Sequence, residues 1–157
     1  MAKTLSEQYK ITNIDDVETR IARRKNMSSV KADAIMKADA DKREKYFFNQ
    51  VADMQEVWTV WDDDVIPIYM GEKAENIRVW PDEIFAKNCH FESIDNPVIT
   101  PIPIDDFLDK ILQNEPGVEL AIFPLRNEGL CKISPLDYFA TRLSNEIARY
   151  QLPPQLY

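Results

Sequence analysis

Hydrophobic positions along this chain fall into short alternating runs and longer helical stripes. The sharpest switch between them lies at Ile77-Arg78-Val79-Trp80-Pro81-Asp82-Glu83-Ile84-Phe85-Ala86. The first half reads as strand, with Ile77 and Val79 on one side and Arg78 and Trp80 on the other. Proline then stands in the first turn of a predicted helix over 81–88, where a missing N–H loses little. Asp82 and Glu83 complement the helix dipole there. Alternation also marks 56–62, with Val57, Thr59 and Trp61 opposite Trp58 and Val60, and 65–70, where Pro67 confines a strand to an edge or a bulge. These three neighbouring strands, joined by polar turns at Asp62-Asp63-Asp64 and at 71–76, predict an antiparallel meander.

Helical periodicity is clearest at 41–54, where Tyr46, Phe47, Val51 and Met54 share a face and Lys42, Arg43, Glu44 and Lys45 start the other. It recurs at 105–113 through Phe107, Leu108, Ile111 and Leu112. The last helix, 134–150, has Ser134 as cap, Pro135 at the first position and Leu136, Phe139, Leu143, Ile147 and Tyr150 along one side. Between these lie an extended, proline-interrupted segment at 97–103, a core strand at 118–123 and a hairpin return at 130–133. Residues 1–40 carry thin helical stripes at 13–26 (Ile14, Val17, Ile21) and after Ser28-Ser29 (Val30, Ala34, Ile35, Ala38). The Arg23-Arg24-Lys25 run reads as a helix end followed by a turn.

The predicted class is therefore α+β: an antiparallel sheet of about five strands with helices mainly on one face, plus an N-terminal helical arm. The arm covers 1–40, one domain 41–150 and a loose tail 151–157. An arm this thin needs a surface to lie on, which points to a homodimer through residues 1–39.

Charge narrows the partners. The 157 residues hold 27 acids against 19 bases, a net charge of −8. That balance argues against binding nucleic-acid phosphates and permits a basic protein surface. The two cysteines, Cys89 and Cys131, form no CxxC, the opening residues have an acid where a secretory apolar stretch would begin, and no apolar run nears the roughly 20 residues that cross a bilayer. A cytoplasmic protein with no membrane segment is expected.

The order of motifs carries a family resemblance. Lys42 and Arg43 precede Tyr46-Phe47, then follow Val57-Trp58-Thr59, Val79-Trp80-Pro81-Asp82 with Phe85-Ala86, and Ile104-Asp105-Asp106-Phe107-Leu108. Val118, Leu120-Ala121-Ile122-Phe123-Pro124 and a Ser-Pro helix start complete the series. Over about 41–149 this resembles the bacterial domain-of-unknown-function family numbered twenty-seven fifty. The resemblance implies a small α+β bacterial protein and brings no established activity. One departure stands at Val65-Ile66-Pro67, where a more strand-compatible Gly-Trp hairpin is expected.

Chemistry is sparse. The single histidine, His90, adjoins Cys89 in a polar connector, and neighbours in sequence diverge rather than face each other. The Asp62–Asp64 triplet lacks the glycine and terminal glutamate of a calcium loop, and a set such as Glu83, His90 and Glu92 is too poor in nitrogen and sulfur for zinc. Three unclustered glycines, Gly71, Gly117 and Gly129, make no phosphate cradle. No catalytic residue, metal or cofactor is assigned, and the reading leans away from an enzyme. It favours a non-enzymatic protein-interaction module, inhibitor- or immunity-like or regulatory, with Trp61, Asp62, Asp63, Trp80 and Asp82 as candidate partner contacts. Core packing accounts for the tryptophans more readily than binding does. The alternative is a small hydrolase with a cleft near Trp80, His90 and Cys131.

Overall fold

The computed structural model describes residues 3–11, 13–88, 94, 96–125 and 131–150. Four helices open the chain: α1 (Leu5–Gln8), α2 (Val17–Arg23), α3 (Ser29–Met36) and α4 (Ala40–Met54). Each starts the same way. The side chains of Thr4, Asp16, Ser28 and Asp39 accept the N–H three residues on, from Glu7, Thr19, Lys31 and Lys42, and so satisfy one amide that the first turn leaves unpaired. Asp16 shortens the expected 13–26 helix, and Asp39 separates α3 from α4. The thin stripe read in the arm is largely exposed at Val17, Ile21 and Val30, and its deep contacts are Ile11 and Ala32 instead.

The arm lies on its own chain. Ser6 donates its amide to Asp109 at 2.8 Å, Leu5 its amide to Gln113 at 3.2 Å, and the Ser144 hydroxyl bonds the Tyr9 carbonyl at 2.6 Å. Further along, the Asp15 amide donates to Gln55 Oε1 at 2.6 Å and the Arg23 guanidinium to the Asp53 carbonyl at 2.7 Å.

Strands β1 (Glu56–Asp62), β2 (Tyr69–Met70), β3 (Glu75–Val79), β4 (Pro97–Pro103), β5 (Glu119–Ile122) and β6 (Lys132–Pro135) form two sheets, with α5 (Glu83–Asn88) between β3 and β4. The class is α+β with antiparallel pairing, as expected, but the expected meander is not what forms. β1 pairs along its whole length with β4, and a four-stranded sheet runs β2-β3-β5-β6, with β3 and β5 parallel. The chain turns away after β1 through Asp63, held at φ 55°, and Pro67 leaves only Tyr69–Met70 free to pair with β3. The parallel pair follows from its long connection, which carries α5 and β4.

The two sheets meet at Trp58 and Trp80, whose backbones exchange hydrogen bonds of 2.9 and 2.8 Å. Trp58 thus points its N–H and C=O away from β4, so its pairing with Pro101 is a non-hydrogen-bonded one. By alternation the ladder runs through Val57, Thr59 and Trp61 against Ile102, Thr100 and Val98. Pro97, Pro101 and Pro103 all fall at the other parity, where no donor is needed. Along β4 the outer edge keeps only the Ile99 N–H, which discourages strand addition.

Helix α6 (Ile104–Asp106) continues as a π-turn (Phe107–Ile111) and a 3-10 turn (Leu112–Asn114), and α7 (Leu136–Tyr150) closes the described chain. Pro81 precedes α5 rather than joining its first turn. Asp82 caps instead, accepting the Ile84 amide at 3.2 Å. Ser134, expected to cap α7, is buried and its hydroxyl bonds the Pro135 carbonyl at 3.2 Å. Arg43, expected on the outer face of α4, is buried with its guanidinium on the Ala38 carbonyl at 2.6 Å. Residues 126–130, and 151–157 where a loose tail is expected, lie outside the described residues.

Candidate functional site

An open cleft of about 360 Å3 runs along the seam between the arm and the rest of the chain. Three segments converge on it. The stretch after α2 brings Arg24 to Met27, the α4–β1 junction brings Met54, Glu56 and Trp58, and the start of α5 brings Pro81 to Ile84. Gln55, left-handed at φ 60°, ends α4 and sends the chain directly into β1, so Glu56 stands where helix becomes strand.

Glu56 is only 2% exposed, and a carboxylate so buried needs a cation. Arg24 supplies it with a fork: Nε donates to Oε1 and Nη2 to Oε2, both at 2.7 Å. The same guanidinium lies 5.4 Å over the Trp58 ring. The hydrogen bonds to Glu56 raise the Arg24 pKa, against burial, with help from the charges of Glu56, Glu83 and Asp82. Sequence reasoning gives Arg24 no role beyond a helix end. The one available signal is a glutamate opening an otherwise apolar strand.

Asp82 also lines the cleft. Burial pushes its carboxyl above the ordinary range, opposed by the Ile84 amide and reinforced by Glu83 and Glu56. Nearby, burial and the Asp82 charge push the Tyr46 hydroxyl up to about 12. An acid whose folded pKa is raised holds its proton more tightly in the native state, so it costs stability once the pH exceeds its unfolded value. Asp82→Asn should therefore be neutral or stabilising at pH 7. It should also remove part of the stability that the wild type gains as the pH falls toward the ordinary aspartate value of 3.8. Urea midpoints across that range would show it, and a large loss at pH 7 would contradict it.

A second feature sits at the far end of β1. Trp61 is half-buried opposite Val98, and Asp62 pairs back to Val65 across a tight turn. Val65 is 64% exposed and Val98 47%, at the same end of β1 as Asp63 and Asp64, which are exposed too. The indole N–H of Trp61 is buried with no acceptor among the described residues.

The five contacts expected from sequence are thus split three ways. Trp61, Asp62 and Asp63 share the tip, and Asp82 lines the cleft. Trp80 belongs to neither: it is 1% exposed, with its indole N–H on the Pro124 carbonyl at 2.9 Å, and is corrected from surface anchor to core. Cys131 does not line the cleft, and burial pushes its thiol up despite Arg78 and Arg43 nearby, which disfavours a thiolate nucleophile. Cys89, His90 and Glu92 lie outside the described residues. Among the described residues no group of three or more His, Cys, Asp or Glu could hold a metal ion, and no helix is long and apolar enough to cross a membrane.

The family model described as protein of unknown function (DUF2750) matches residues 44–143, and the chain belongs to that family. No curated protein and no solved structure matches it.

Proposed function

We propose that this family member is a non-enzymatic, cytoplasmic interaction module that docks a basic protein partner on the tip of β1. The observation that carries the reading is that exposed Val65 and Val98 pair with Asp62 and Trp61 in the strand register, at the end of β1 where Asp63 and Asp64 are exposed as well. Apolar anchors supply contact area, and the flanking acids select a cationic partner and speed its approach. A net charge of −8 acts in the same direction.

Immobilised wild-type chain should retain a basic protein from its native host at near-stoichiometric yield, and a Val65→Asp/Val98→Asp variant should lose it. Retention by both baits, or by neither, would sink the proposal. A second reading, a homodimer, is favoured by the exposure of Val17, Ile21 and Val30 on the arm. Light scattering of the full chain distinguishes it by mass.

A further inference from the structure

The Arg24 pocket is assembled from two parts of different standing. Glu56, Trp58 and Asp82 lie within the matched stretch 44–143, whereas Arg24 belongs to the arm outside it. Each wall answers one feature of a guanidinium. The Glu56 carboxylate takes the two-pronged edge at 2.7 Å and the Trp58 ring takes the flat face. Asp82 and Glu83 add negative field without replacing the fork. An ammonium has neither the planar fork nor the flat stacking face, so it would lose the two-pronged contact with Glu56 and the stacking on Trp58.

We infer that Glu56, Trp58 and Asp82 form a binding site for an arginine side chain, which Arg24 fills in the resting chain and an arginine of a basic partner can take over. The geometry permits exchange. Arg24 follows the last residue of α2 with extended backbone (φ −63°, ψ 132°), so its side chain can leave without unwinding that helix. Arg23, paired with Asp15 and the Asp53 carbonyl, keeps the helix end anchored meanwhile. The cleft continues past the guanidinium along Gln50, Met54, Ile84 and Lys87, which leaves room for the residues flanking an incoming arginine. That the incoming arginine comes from a partner rests on the interaction reading above; the pocket itself does not.

The test is chemical rescue in the full chain. Arg24→Ala should lower Tm, and millimolar ethylguanidinium should restore at least half of the loss, while ethylammonium at equal concentration should not. Adding Glu56→Gln should weaken the response to ethylguanidinium by roughly tenfold or more, about 1.4 kcal/mol. The wild type, with its pocket filled, should gain nothing. If Arg24→Ala does not fold, Arg24→Gln is read in the same way. A Tm that ignores ethylguanidinium, an equal response to ethylammonium, or a response that survives Glu56→Gln overturns the inference. Rescue without any captured basic protein would leave the pocket standing and remove the partner reading; capture at the tip without rescue would do the reverse.

Discussion

Trp80→Ala should be among the most damaging single substitutions in this chain, at about 4 kcal/mol or more of unfolding free energy. Emptying a fully buried indole site costs about 3–5 kcal/mol in lost contacts and cavity. The Pro124 carbonyl, now 2.9 Å from the indole N–H, would also lose its donor, at about 1–3 kcal/mol when buried. Against a total stability of about 5–15 kcal/mol, the variant should be largely unfolded at 37 °C or close to it. Trp80→Phe narrows the comparison, because it keeps most of the ring volume and removes the donor together with the pyrrole part of the indole. It should cost about 1–3 kcal/mol. Trp61→Phe is the control: its N–H has no acceptor among the described residues, so under about 1 kcal/mol should be lost. Urea unfolding followed by far-UV circular dichroism reads all three. Equal losses for Trp80→Phe and Trp61→Phe would show that the Pro124 bond contributes nothing.

Trp80 also shows how far a sequence can be read. Its strand, the proline after it and the acid that starts α5 are local features, set by alternation and by the unpaired amides of a helix start. What decides its environment is non-local: β1 takes β4 as its full-length partner and meets the end of β3 through the Trp58–Trp80 bridge and the Thr59 hydroxyl on the Arg78 carbonyl. Alternation cannot choose between two eligible partners. The prolines of β4 carry the missing information, since Pro97, Pro101 and Pro103 share the parity that needs no ladder donor, but only a known partner gives that parity meaning. The buried Arg43 and the Arg24–Glu56 fork are hidden for a related reason. A charged residue on a helix or strand reads as solvated unless its partner is known, and these partners lie 5 and 32 residues away, the nearer one a backbone carbonyl. The π-turn at Phe107–Ile111 has no distinct sequence pattern. It shifts the register within the expected 105–113 helix while keeping Phe107, Leu108 and Leu112 buried.

Helix α7 lies at the legible end, and Phe139 is the residue on which its packing turns. The predicted stripe is buried at Phe139, Leu143 and Ile147, as periodicity requires, and it fades outward to Tyr150, which is half-exposed. Phe139 meets Phe48 at 5.6 Å, Phe47 at 6.1 Å and Phe107 at 6.2 Å, so one ring joins α4, α7 and the π-turn. Such ring contacts add about 0.5–1.5 kcal/mol beyond the area they bury. The same π-turn carries Asp109, which anchors the arm through the Ser6 amide, so a cavity at Phe139 should loosen the arm's attachment as well as the core. Phe139→Ala should therefore lose about 3–5 kcal/mol. Phe139→Leu, which fills most of the space without the ring geometry, should lose clearly less. Tyr150→Ala, at the exposed end of the same stripe, should stay within about 0.5 kcal/mol. Urea midpoints at constant m-value would establish the order, with Phe139→Ala the most damaging, Phe139→Leu next and Tyr150→Ala the least. Amide exchange in the same samples would test the coupling, with faster exchange at the Ser6 amide expected in Phe139→Ala. A Ser6 amide protected as in the wild type, in a variant this destabilised, would mean that the arm holds on independently of the aromatic cluster.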